Sequence, residues 1–202
     1  MAKHVTIHLQ RVCPWWVGYF LISPIRRWLQ NPEKILAPYI NEGMTVLEIG
    51  PGMGFFTIPA ARMVGESGKV IAVDVQEKML TVLRKRAEKA GVADRVVTKR
   101  CKPDNIGVSD PIDLCLVINV AHEVPDAAAL FGQIRAILKP TARVLLSEPG
   151  GWHISEEEFQ ETLAVASAQG LKVIEKPKIP RSRSALLALK RAALSQMMGS
   201  SC

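Results

Sequence analysis

The stretch VLEIGPGMGFF, Val46 to Phe56, sets Gly50, Gly52 and Gly54 within five residues, directly behind an apolar run that carries the acid Glu48. A run of this kind reads as a buried strand, and the FFTIPAARMVG that follows reads as a helix closed by Gly65, with Pro59 tolerated in its first turn. Strand, glycine turn and helix together expose backbone amides and let a ligand approach them closely, because glycine carries no Cβ and adopts positive φ without penalty. The stretch therefore predicts a ligand beyond the end of a strand, in an α/β fold.

The flanking sequence repeats the same alternation. KVIAVDV (Lys69–Val75), RVVTKRC (Arg95–Cys101), IDLCLVINV (Ile112–Val120) and ARVLLSEP (Ala142–Pro149) read as further strands, RVVTKRC more exposed than the others. Between them lie helical patterns. NPEKILAPYI has Asn31 as N-cap and Pro32 at the first helical position. EKMLTVLRKRAEKAG closes on Gly91, DAAALFGQIRAILKP ends at Pro140, and SEEEFQETLAVASAQG opens with a capping box of Ser155 and Glu158. LKVIEKPKI and SRSALLALK follow one another with no helix between, which fits an antiparallel pair. The expected fold is a doubly wound, mostly parallel seven-stranded sheet with a terminal antiparallel hairpin and helices on both faces.

At 202 residues, 48% hydrophobic and 22% charged, the chain is expected to form one domain: a segment over 1–30, a core over 31–190 and a tail over 191–202. Cys13, Cys101, Cys115 and Cys202 show neither a CxxC pair nor metal-ligand spacing, and no apolar run reaches about 20 residues, so a soluble cytoplasmic protein with reduced thiols and no metal is expected. The net charge of +7 admits RNA as a partner without favouring it, because the basic residues between Lys172 and Arg191 have no aromatic residues among them. HLQRVCPWWVGYFLISPIRRWLQ holds three of the four tryptophans, and three readings of it stand open: a lid over the acceptor pocket, a packing segment, or a membrane-surface contact over residues 12–28 rimmed by Arg26 and Arg27.

Ligands of doubly wound sheets sit beyond the carboxyl ends of the strands, which draws Gly50 to Gly54, Asp74, Cys101 to Asp104, Asn119 to Glu123 and Glu148 into one neighbourhood. Asp74 ends the second strand 24 positions after Gly50, where an acid accepts hydrogen bonds from ribose hydroxyls. A dinucleotide is disfavoured: Phe55 stands where G-x-G-x-x-G requires its third glycine, and Glu48 would repel a pyrophosphate while attracting an ammonium or sulfonium group. On these residues VLEIGPGMG resembles the first motif of the class I S-adenosylmethionine-dependent methyltransferases, E/D-x-G-x-G-x-G, and the strand series with its terminal hairpin is similar to theirs from about Asn31 to Lys190.

The resemblance implies S-adenosyl-L-methionine as cofactor. It implies Glu48, Gly50, Gly52 and Gly54 for its methionine part, Asp74 with Val75 for its ribose, Cys101 and Lys102 beside its adenine, and Asn119 on the fourth-strand loop that faces the methyl group. NVAHEVPD resembles the small-molecule branches and lacks the N/D-P-P-Y/F of amino-methylating nucleic-acid enzymes, so a small-molecule acceptor is expected. The alternatives are an RNA or protein methyltransferase and a binding module without turnover. His122, whose ordinary pKa lies near neutrality, is the candidate base, with Glu123 beside it; their plain alternatives are a bond to a neighbouring carbonyl and a charge favouring the next helix.

Overall fold

The computed structural model describes residues 22, 24–151 and 153–190. The expected tail over 191–202, and nearly all of the Trp-rich segment up to Leu21, lie outside the described residues. Seven strands form one sheet: β1 (Thr45–Ile49), β2 (Lys69–Asp74), β3 (Val96–Arg100), β4 (Ile112–Ile118), β5 (Leu138–Pro149), β6 (Leu171–Glu175) and β7 (Ser182–Leu189), in the order β3-β2-β1-β4-β5-β7-β6. β1 to β5 pair in parallel, and β7 inserts antiparallel between β5 and β6. Both features of the expected fold are thus present, and the order reverses between β1 and β4, beside the glycine turn.

The helices are α1 (Pro24–Leu29), α2 (Pro32–Leu36), α3 (Thr57–Met63), α4 (Glu77–Lys89), α5 (Ala127–Ile137) and α6 (Glu156–Ala168). Successive strand residues point to opposite faces, so Val46 joins Phe56, Ile58, Leu80 and Leu83 on the side of α3 and α4, while Leu47 joins Phe131, Ile134 and Phe159 on the side of α5 and α6. Burial on both faces is why these strands read as continuous apolar runs. Asn31 accepts from the Lys34 amide at 3.0 Å, and the capping box closes with Glu158 N–H donating to Ser155 Oγ at 3.1 Å and Ser155 N–H to Glu158 Oε2 at 2.7 Å.

Two boundaries differ from the sequence reading. α2 stops at Leu36 instead of running to Ile40, because Pro38 has no N–H to extend the ladder. α5 stops at Ile137, and Pro140 lies inside β5, which starts four residues before Ala142; its register against β4 shifts between Ile112 and Leu114, an irregularity that accommodates a residue unable to donate.

Candidate active site

The three glycines of the turn differ in what surrounds them. A Cβ on Gly54 would stand 2.3 Å from Leu83 Cδ1 and one on Gly50 2.7 Å from Val120 Cγ2, so these two make room for α4 and for the β4 loop. Gly52 is different: its φ is +55° and nothing lies within 4 Å of the position a Cβ would take. Gly52 is therefore the glycine that offers bare backbone to a ligand, a distinction the spacing alone does not make.

Asp74 is brought directly onto that turn. Its carboxylate accepts from the amides of Gly52, Val75 and Gln76, the last at 2.8 Å, and its carbonyl accepts from Cys101 N–H at 3.0 Å. Beyond it a cavity of about 490 Å³ is lined by Val75, Arg100, Cys101, Lys102 and Pro103, which joins three predicted residues. Burial, and then the charge of Asp74, push the Cys101 thiol up to about 11, so it is a neutral wall of this cavity at physiological pH.

At the next strand end Asn119 has φ +56°, its N–H donates to Ser147 O at 2.7 Å, and its buried Oδ1 has no hydrogen-bond partner among the described residues. His122 and Glu123 follow in a single turn of 3-10 helix, Ala121–Glu123. Glu148, 1% exposed at the end of β5, accepts from Ala121 N–H at 2.8 Å through Oε1 and from His122 Nδ1 through Oε2. His122 Nε2 stands 3.9 Å from Glu123 Oε1, too far for a hydrogen bond. The hydrogen bond to Glu148 outweighs burial and raises the His122 pKa above its ordinary value. Glu148 was legible as one of the residues converging here, but its grip on His122 was not.

Glu48 lies beneath the turn, 3% exposed, and Thr57 at the start of α3 donates to its Oε2 at 2.6 Å. Arg26 of α1 lies within electrostatic reach and stacks 4.3 Å from the centre of the Phe55 ring. Burial is the main cause that raises Glu48 to about 7 from 4.5 and Asp74 to about 6 from 3.8. Both folded values exceed the unfolded ones, so the stability linked to these groups is complete below the unfolded values and is lost as pH rises through 6 and 7. Glu48→Gln keeps an acceptor for Thr57 and removes the buried charge. In denaturant titrations it is expected to be more stable than the parent by about 2 to 3 kcal/mol at pH 8, with the gap shrinking towards pH 5. An equal gap at both pH values would show that Glu48 does not carry this linkage.

A doubly wound sheet whose order reverses beside a glycine turn, with open space at Gly52 and an acid at the end of the neighbouring strand, has the architecture of an α/β fold that takes a ligand at its switch point. The chain belongs to a methyltransferase domain family, whose sequence profile matches residues 40–183. A SAM-dependent methyltransferase from Aquifex aeolicus has the same fold at a TM-score of 0.79 and 26% identity, over 88% of this chain and 99% of that one. The ubiquinone biosynthesis O-methyltransferase of Paramagnetospirillum magneticum is 33% identical over 108 residues, 54% of this chain and 41% of that enzyme. The ubiquinone/menaquinone biosynthesis C-methyltransferase of Escherichia coli is 30% identical over 110 residues, 54% of this chain and 44% of that enzyme. The matched stretch thus spans under half of each of these two relatives. Residues 40–183 thus carry a methyltransferase domain, and the open space at Gly52 and the orphaned Asn119 Oδ1 both fit S-adenosylmethionine, the cofactor on which the Aquifex protein depends. Among the described residues no helix is long and apolar enough to cross a membrane, and no group of three or more His, Cys, Asp or Glu side chains could hold a metal ion.

Proposed function

We propose that the acceptor is a small molecule whose accepting atom gives up a proton, with His122 as the base and Glu148 as the group that positions it. The observation that carries this is the buried Glu148 carboxylate spanning Ala121 N–H and His122 Nδ1, which fixes the ring and leaves Nε2 for a substrate. The two ubiquinone-biosynthesis relatives support a small acceptor. Bound cofactor supplies a methyl group already activated on a sulfonium, so the protein's share is alignment, a dry site and removal of the acceptor's proton.

In this reading the turn around Gly52 holds the amino-acid end of the cofactor, with the Glu48 charge beneath it, Asp74 holds the ribose, and Val75, Cys101 and Lys102 flank the base. Asn119 lies at the methyl end and Glu123 adds negative charge beside the ring. The whole chain acts as a single cytoplasmic domain, in which residues 1–30 and the loops select the acceptor. The test is methyl transfer from labelled cofactor into mixed phenolic small molecules, RNA and protein; label recovered in RNA or protein overturns the reading.

Asp74 gives a separate check. Its ionised form is the better acceptor for ribose hydroxyls, so affinity for S-adenosylhomocysteine is expected to fall as pH drops through about 6. Asp74→Ala should weaken binding by about 1 to 3 kcal/mol and flatten this pH dependence, read by calorimetry. An unchanged, pH-dependent affinity would take Asp74 out of the site.

A further inference from the structure

Behind the glycine turn, on the side of the sheet that carries α3 and α4, residues of α1, the turn, α3 and α4 line a pocket of about 400 Å³. Four of its lining side chains are cations, Arg27, Arg62, Arg86 and Lys89, and none is an acid. Its apolar walls include Phe55 and Ile58, each 8% exposed. Arg27 pairs with Glu33 at 2.5 Å and Arg86 donates to the Met53 carbonyl, while Arg62 and Lys89 are exposed and have no ion-pair partner among the described residues. The Arg86 guanidinium is destabilised first by burial and then by the nearby Arg27, so among the described residues the four cations outnumber the one acid, Glu33, that pairs with any of them.

Such a gathering over an apolar floor suits an anion attached to an aliphatic body. Single-stranded nucleic acid wants free aromatic faces for its bases; among the described residues the pocket is lined by one ring, Phe55, whose face carries the Arg26 guanidinium and whose remaining exposed surface is too small for a base to stack on. The chain immediately before the pocket-lining Ile22 reads CPWWVGYFL, with Trp15, Trp16 and Tyr19, residue types that settle at the headgroup level of bilayers. We propose that this face docks on an anionic lipid surface, with a lipid phosphate among Arg27, Arg62, Arg86 and Lys89 and the adjoining aliphatic chain against Phe55 and Ile58. Gly54 and Phe55 belong both to the pocket and to the cofactor turn, so docking sets the turn at the lipid boundary.

The test is sedimentation of the full chain with vesicles of phosphatidylcholine alone or mixed with phosphatidylglycerol. The mixed vesicles are expected to hold the protein more tightly, and the paired change Arg62→Glu with Lys89→Glu to weaken that hold by on the order of tenfold or more. Lys172→Glu with Lys176→Glu alters net charge equally on exposed positions in and just after β6, and should leave most of the binding intact. Affinity for S-adenosylhomocysteine reports folding in each variant; if the glutamate pair loses it, Arg62→Gln with Lys89→Gln is expected to give a smaller loss in the same direction. Equal partition onto both vesicle types overturns the proposal, as does an equal loss in the control pair. So does binding of an RNA oligonucleotide through these cations in place of vesicles.

Discussion

Gly52→Val is expected to weaken S-adenosylhomocysteine binding by about a hundredfold or more, the scale of roughly two hydrogen bonds to charged groups, because its side chain fills the open space beside the turn that the ligand would take. The same change should lower stability by only about 1 to 2 kcal/mol, the scale of forcing a residue with a Cβ into the left-handed region. The asymmetry follows from geometry: the backbone at Gly52 has φ +55°, yet a side chain there meets no protein atom within 4 Å, so the conflict arises only with the ligand. Gly54→Ala and Gly50→Ala predict a different pattern. Their Cβ atoms would press on Leu83 and Val120, so stability and affinity fall together. Calorimetry and thermal melts on the three variants separate the two behaviours. Full affinity in Gly52→Val would remove this residue from the cofactor surface.

The same three glycines show what a linear sequence carries. Their spacing announces a turn in which side chains are excluded, and Asp74 can be placed near it because β2 is the next buried strand. What excludes each side chain is set by neighbours such as Leu83 on α4 and Val120 past β4, distant in the chain, and no local pattern encodes them. Element type was legible from periodicity and caps: the capping box at Ser155 and the antiparallel end of the sheet stand as read. The end of α5 was not, since Pro140 marks where a helix cannot continue and leaves open that it stopped at Ile137. Glu148 shows the same limit at the site. The rule that ligands gather past strand ends placed it in the right region, but its bond to His122 depends on β4 and β5 pairing with Ile118 opposite Ser147, a register that only the folded sheet fixes. Arg26 was legible only as part of a basic pair, although it stacks on Phe55 and senses Glu48.

His122→Ala is expected to lower kcat by roughly 10²- to 10⁴-fold, the usual contribution of a positioned general base, with little change in affinity for S-adenosylhomocysteine. The base acts in its neutral form, so kcat should rise with pH through the His122 pKa, which the Glu148 hydrogen bond holds above 6.5. Glu148→Gln removes that carboxylate while keeping a side chain of the same shape against Ala121 and the ring. It should therefore lower the plateau of kcat and move the ascending limb of the profile to lower pH, because the imidazolium loses its stabilising charge. A purely structural role for Glu148 would depress activity without displacing the limb. The direction of that displacement is thus the decisive reading: a profile that stays in place in Glu148→Gln, or a His122→Ala enzyme with intact turnover across pH, would leave alignment of the acceptor, without proton removal, as the whole of the chemistry at this end of the cleft.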